Sequence, residues 1–161
     1  PYPEGSNELD YELEAAVVIG KDGQIGGFTI MNDWSARDLQ RPEMKIGLGP
    51  SKGKDFATSL GPMVVTPDEL GDLKLEMVAR VNDEERSRGN MGDMHHSWAQ
   101  IVGHAARNTR LRAGDVLGSG TVGTGCILEH GDGRWLQPGD VVELEIEGIG
   151  ILRNRVGPKA A

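Results

Sequence analysis

Short apolar runs alternate with glycine-rich polar breaks along the chain, and most of the runs have a period of two. Glu12 to Ile19 reads as a strand that begins charged and ends apolar (Ala15-Ala16-Val17-Val18-Ile19), then turns at Lys21-Asp22-Gly23. Gly27 to Met31 is a second apolar strand. It runs into Asp33 and a short helical turn in which Ser35 and Asp38 have capping-box spacing. Residues 41–62 lack periodicity and are rich in Gly, Pro and Lys, Leu48-Gly49-Pro50 among them, which predicts a long functional loop. Met63-Val64-Val65 resumes a strand, closed at Pro67-Asp68. Leu73 to Val81 alternates, with Leu73, Leu75, Met77 and Ala79 on one face and Lys74, Glu76, Val78 and Arg80 on the other.

The clearest helix runs from Ser97 to about Arg110. Ser97 and Gln100 form a capping pair, and Trp98, Ile101, Val102 and Ala105 fall on one stripe. A strand around Asp115-Val116-Leu117-Gly118 follows, then a glycine-rich turn and Cys126-Ile127-Leu128-Glu129. Pro138-Gly139-Asp140 opens a final hairpin of Val141 to Glu147 and Ile149 to Val156, turned at Gly148. The pattern predicts about eight strands against one clear helix and one or two short ones.

Composition agrees with many short strands and tight turns: 24 glycines and 8 prolines in 161 residues, with 4% aromatic side chains. Residues 1–161 make one domain, long enough for a core. A net charge of −8 argues against a nucleic-acid partner, which needs clustered Lys and Arg. Cys126 is the only cysteine, so an internal disulfide is excluded and the cytoplasm is the expected compartment. No apolar run reaches the roughly 18 residues of a membrane span, and no membrane partner is expected. The chain opens Pro1-Tyr2-Pro3 without an initiator methionine, which predicts a piece lacking an upstream N-terminal segment.

Several side chains carry candidate chemistry. Glu12 and Glu14, two apart on a strand, share a face and repel each other unless a cation or solvent lies between them. With Asp33 at the end of the next strand and Lys54 on a glycine-rich loop, they form a site for a hard divalent cation and an anionic substrate. Each also has a plainer reading. Glu143, Glu145 and Glu147 repeat the spacing as a solvated strand face, Asp33 fits an N-cap, Arg37 and Asp38 fit a surface pair, and Lys54 fits a solvated lysine. Ser119-Gly120-Thr121 and Gly123-Thr124-Gly125 could hold anions or simply turn; they match neither a phosphate loop nor a serine-hydrolase elbow. His95 and His96 are adjacent and diverge, His104 lies in the helix and His130 in a turn, so all four read as structural or solvent-facing. Cys126 with His130 is a poor nucleophile–base pair.

The blocks Glu12-Leu13-Glu14, Met31-Asn32-Asp33-Trp34-Ser35-Ala36-Arg37-Asp38-Leu39-Gln40, Gly53-Lys54-Asp55-Phe56-Ala57-Thr58, Gly61-Pro62, Gly118-Ser119-Gly120-Thr121 and Pro138-Gly139-Asp140 occur in one order. From about residue 8 to the end, that series resembles the catalytic domain of the fumarylacetoacetate hydrolase family. The resemblance implies a mainly β fold with a few short helices, a mixed β-sandwich roll that forms a homodimer. It implies Mg²⁺ or Ca²⁺, sometimes Mn²⁺, held by Glu12, Glu14 and Asp33, with the Lys54 loop and Thr58 nearby. Arg37, Gln40 and Thr121 would meet the substrate, and Lys54 and Glu129 would be catalytic. Glu129 matches the carboxylate that orients a catalytic histidine, and none of the four histidines here matches that base.

The activity implied is hydrolysis of a C–C bond in a β-diketo acid, fumarylacetoacetate or an acylpyruvate, as in tyrosine degradation. The alternatives are isomerisation or decarboxylation of 2-hydroxy-diene dioates or oxaloacetate, or a catalytically impaired member that binds metal and dicarboxylate.

Overall fold

The computed structural model describes residues 2–47 and 49–159. Pro1 and Leu48, which carry part of the chain-opening and loop readings, lie outside the described residues.

β1 (Leu9–Asp10) leads into a hairpin of β2 (Leu13–Ile19) and β3 (Ile25–Asn32). β4 (Ser35–Ala36), α1 (Arg37–Lys45), β5 (Ser59–Val65) and the single turn α2 (Pro67–Leu70) follow. A second hairpin, β6 (Glu76–Val81) and β7 (Glu84–Asn90), precedes α3 (Trp98–Ala105), β8 (Val116–Gly118) and α4 (Ile127–His130). The chain closes with the hairpin of β9 (Val141–Ile146) and β10 (Gly150–Arg155). Two four-stranded sheets result, ordered β5-β3-β2-β8 and β10-β9-β6-β7, with a small β1-β4 ribbon beside them. The fold is mainly β with short helices.

The period of two explains the packing. Leu13, Ala15, Val17 and Ile19 of β2 and Phe28 and Ile30 of β3 face Met77, Ala79 and Val81 of β6 and Val142, Leu144 and Ile146 of β9 in one buried cluster. Burying each large member stabilises the fold by about 1.5–3 kcal/mol. The consequence for function lies on the other face of β2. Because Leu13 points inward, Glu12 and Glu14 point away from the core.

Four local expectations change. Ser35 does not cap a helix: it pairs with Asp10 in the β1-β4 ribbon, and Ala36 is the N-cap without a side-chain bond. Asp38 instead accepts from the Ser6 hydroxyl at 2.6 Å and the Asn7 amide at 2.7 Å, tying the chain's start to α1. The long loop of residues 41–62 is shorter than expected, since α1 takes it to Lys45 and β5 begins at Ser59. Pro42 lies within α1, where it costs one rung of the helical ladder, so neither proline nor apolar period marked this helix. β7 is an additional strand of charged side chains at a sheet edge, where polarity prevents stray pairing. The helix beginning after Ser97 has its capping box, but it ends at Ala105, short of Arg110.

Candidate active site

The site is assembled where β2 starts and β3 ends. Glu14 stands opposite Met31 in the ladder, which brings Asp33 level with Glu12; the Asp33 amide donates to the Glu12 carbonyl at 3.4 Å. One ligand oxygen from each of Glu12, Glu14 and Asp33 lies within 4.8 Å of the other two. Three carboxylates so close are held by cations. Lys54 Nζ lies 2.7 Å from Glu12 Oε2 and 2.8 Å from Asp33 Oδ2, and its side chain is only 15% exposed. Lys54 is therefore turned onto the carboxylates rather than solvated, and Asp33 is not an N-cap, since Ala36 takes that position on α1.

Arg37 likewise corrects the surface-pair reading. It is buried, its Nε donates to Asp10 Oδ2 at 2.8 Å, and its Nη2 lies 2.8 Å from Glu12 Oε1 as an ion pair without hydrogen-bond alignment. Nη1 donates to Gln40 Oε1 at 2.9 Å, so Gln40 is positioned through Arg37. Burial works against the guanidinium charge, but the facing Asp10 and Glu12 carboxylates prevail and raise its pKa.

Asp10 is the residue that sequence reasoning missed. It is fully buried and accepts the Ile127 amide at 2.7 Å and the Leu128 amide at 3.1 Å as well as Arg37. It thus joins the start of α4 to the carboxylate cluster. The available signal was the alternation Asp10-x-Glu12-x-Glu14, which continues the Glu-x-Glu spacing by one step.

Glu14 faces the Gly118–Thr121 segment, where the Gly120 amide donates to its Oε2 at 3.1 Å. A Cβ at Gly118 would push aside both the Glu14 carboxylate and the Met31 methyl, so a side chain there would disturb the cluster. Burial, with the Glu12 and Asp33 charges adding to it, pushes the Glu14 carboxyl up to about 7. Burial acts the same way on Glu12, but Lys54 and Arg37 overturn it and hold that carboxyl below its ordinary value. Four carboxylates (Asp10, Glu12, Glu14, Asp33) thus face two side-chain cations (Arg37, Lys54), an excess of two negative charges when all are ionised. Hard oxygen donors with that excess fit a divalent cation held by Glu12, Glu14 and Asp33.

The remaining candidates are less closely tied. Thr121 is half-buried in the segment that contacts Glu14, and Thr58 is exposed just before β5. Glu129 is exposed on α4; its link to the cluster is the helix itself, whose first amides Asp10 holds. The cluster includes no histidine among the described residues. His95 and His96 meet ring to ring at 4.6 Å, and His130 Nε2 lies 3.4 Å from the Ser87 hydroxyl. A cavity of about 350 Å³ lies along Gly118–Gly123, lined also by Met77, Met91, Met94 and Ile101, and none of the cluster carboxylates lines it. Charge, rather than concavity, locates the site.

Comparison with known proteins places this arrangement among enzymes. The chain is 34% identical over 170 residues to the oxaloacetate tautomerase YisK of Bacillus subtilis, covering 97% of this chain and 54% of that protein. It therefore spans about half the length of that relative. A fumarylacetoacetate hydrolase from Exiguobacterium antarcticum superposes with a TM-score of 0.87 at 32% identity, over 98% of this chain and 60% of the other. A fumarylpyruvate hydrolase from Pseudomonas aeruginosa, solved with Mn²⁺ and pyruvate, superposes with a TM-score of 0.86 at 25% identity, over 98% and 70%. None of the helices described is long and apolar enough to cross a membrane. The model of the fumarylacetoacetate hydrolase C-terminal domain matches residues 1–157, and the chain belongs to that family.

Proposed function

We propose that this chain carries the metal centre of a divalent-cation-dependent hydrolase that cleaves a C–C bond of a β-diketo acid of the fumarylacetoacetate or acylpyruvate type. The observation that carries the proposal is the triad Glu12, Glu14 and Asp33 with Lys54 Nζ bridging two of its members. The relative bound to Mn²⁺ and pyruvate supports it, because pyruvate is one product of cleaving an acylpyruvate. Mg²⁺, Ca²⁺ or Mn²⁺ suits the all-oxygen donor set.

Cleavage adds water to the acyl carbonyl and breaks the bond to the neighbouring carbon. The bonding pair leaves as the enolate of a keto acid, a 2-keto acid from an acylpyruvate or a 3-keto acid from fumarylacetoacetate, which then takes a proton on carbon. An enolate is a poor leaving group until positive charge holds its oxygen. A divalent cation bound by the three carboxylates supplies Lewis-acid stabilisation of that oxygen. Lys54 adds a second positive charge, and its ammonium is already aimed at the cluster by Glu12 and Asp33. Arg37 fixes Glu12 from the opposite side and presents Gln40, while Thr121, beside Gly120, offers a hydroxyl to the substrate's carboxylate end. Glu129 would orient a histidine base, and the described carboxylate cluster includes no histidine to fill that role.

The tautomerase relative favours a second reading, in which the same cation and lysine stabilise the enol of oxaloacetate without bond cleavage. One assay separates the two. Purified protein with Mn²⁺ is given acetylpyruvate and, separately, enol oxaloacetate, before and after chelation with EDTA. Loss of the diketo-acid absorbance that EDTA abolishes is expected; metal-dependent tautomerisation alone would replace hydrolysis by the second reading.

We also place the protein in the cytoplasm as a homodimer. The buried, unpaired Cys126 supports the first placement. Leu60, Met63 and Val64 on β5 and Ile151 on the adjacent β10 are exposed large apolar side chains, which support the second. Sedimentation showing only monomer at micromolar concentration would remove the dimer.

A further inference from the structure

We propose that Glu43 is a positioning residue for Lys54, a role that rests on reading Lys54 as the cation that meets the substrate's oxygen.

α1 ends in Glu43-Met44-Lys45, and the last turn of a helix favours cations such as Lys45 over carboxylates. Glu43 sits against that preference. Its carboxylate gathers three amides of the irregular segment ahead of Lys54: Oε2 accepts Ser51 N–H at 2.9 Å and Gly53 N–H at 3.1 Å, and Oε1 accepts Lys52 N–H at 2.7 Å. Those amide bonds, Ser51 first, hold the Glu43 carboxyl below its ordinary pKa. Hydrogen bonds to a charged acceptor are the stronger kind, and three on one carboxylate make a clasp.

The same segment is seated on the opposite end of α1. The Ala36 amide donates to the Gly53 carbonyl at 2.8 Å, and a Cβ at Gly53 would lie 2.9 Å from the Gln40 Cα, so only glycine fits so close. The Ser51 carbonyl accepts the Lys54 and Asp55 amides at 2.9 and 2.7 Å, closing the turn from which Lys54 departs. Lys54 thus stands within a turn fixed at both ends of one helix. A long, flexible lysine side chain reaches two carboxylates reliably only from a fixed backbone.

The test compares wild type, Glu43→Ala and Glu43→Gln, each as the full chain. Acylation of lysines by an amine-reactive reagent, read by mass spectrometry, follows Lys54 against Lys52, whose side chain is 82% exposed. In Glu43→Ala, Lys54 labelling should rise by about threefold or more relative to Lys52 as the amide bonds are lost. With acetylpyruvate, kcat should fall by about tenfold, the scale of a small misplacement, while Mn²⁺ affinity by calorimetry stays within about twofold. Glu43→Gln keeps an acceptor oxygen and should fall between Glu43→Ala and wild type. It carries both readouts if the alanine variant does not fold. Unchanged Lys54 labelling, or raised labelling with unchanged kcat, overturns the role. If wild type turns over no β-diketo acid, the functional reading fails, and labelling alone decides whether Glu43 holds Lys54 in place.

Discussion

Lys54 holds Glu12 Oε2 and Asp33 Oδ2, and both carboxylates would also serve a bound cation, so its contributions to catalysis and to metal binding can be separated. Replacing it removes a stabiliser of developing negative charge and also a competitor for those oxygens. Lys54→Met should lower kcat by about 10²–10³-fold, the worth of a single electrostatic stabiliser. Metal affinity measured by calorimetry should not fall with it. Steady-state kinetics showing a drop under about threefold would leave Lys54 as a charge partner of Glu12 and Asp33 with no part in the chemistry. The triad and Lys54 were legible from residue types and order alone. Arg37 was not, because an Arg-Asp pair on a helical turn looks identical whether it is solvated or, as here, turned inward onto Asp10 and Glu12. Glu43 was illegible for a related reason: its partners are backbone amides, which leave no trace in side-chain identity.

Strands read better than helices in this chain. Alternation is clean in β9, where one face is buried, whereas β2 reads as a nearly continuous apolar run because both its faces are covered, and the capping box marked the start of α3 because it is written in side chains. α1 buries only Arg37 and contains Pro42, so it has no apolar stripe to announce it. β7 is charged because it is an edge: Arg86 pairs with Asp132, Arg88 with Glu76 of β6 and with Glu85 of β7 itself, and Glu84 with Arg134. Tyr11 fastens β7 to the start of β2: it is fully buried and its hydroxyl lies 2.8 Å from the Ser87 hydroxyl. Burial, aided by the Asp10 charge and opposed by Ser87, pushes its phenol up to about 12 from 10.0. Burial, again aided by Asp10, pushes the Cys126 thiol up to about 11 from 9.0. Both groups stay protonated in the folded chain at pH values where the unfolded chain ionises them. The unfolded state then binds fewer protons, so stability falls as pH rises from about 9 to about 12, by on the order of 2–3 kcal/mol for each group. Urea unfolding at pH 8 and pH 11 should show the loss, and Tyr11→Phe should reduce it. Equal midpoints at the two pH values would show that neither group is held protonated by the fold.

Across the whole molecule, the sandwich serves as a frame that aims two strand ends at one point. The inward face of β2 and β3 fixes the core, and the same alternation brings Glu12, Glu14 and Asp33 together on the opposite face, where their mutual repulsion under burial requires cations. Arg37 and Lys54 partly meet that requirement and, with Asp10 counted among the carboxylates, leave an excess of two negative charges when all are ionised. The whole account therefore turns on a divalent cation at that point. Calorimetric titration of Mn²⁺ into wild type and Asp33→Ala tests it most directly, because Asp33 lies outside the strand ladders and is only half-buried, so its removal spares the core. One site per chain is expected in wild type, with affinity lowered by about tenfold or more in Asp33→Ala, at least what loss of a supporting group around a metal costs. Equal affinities in the two proteins would contradict the metal centre, and with it the function built on it.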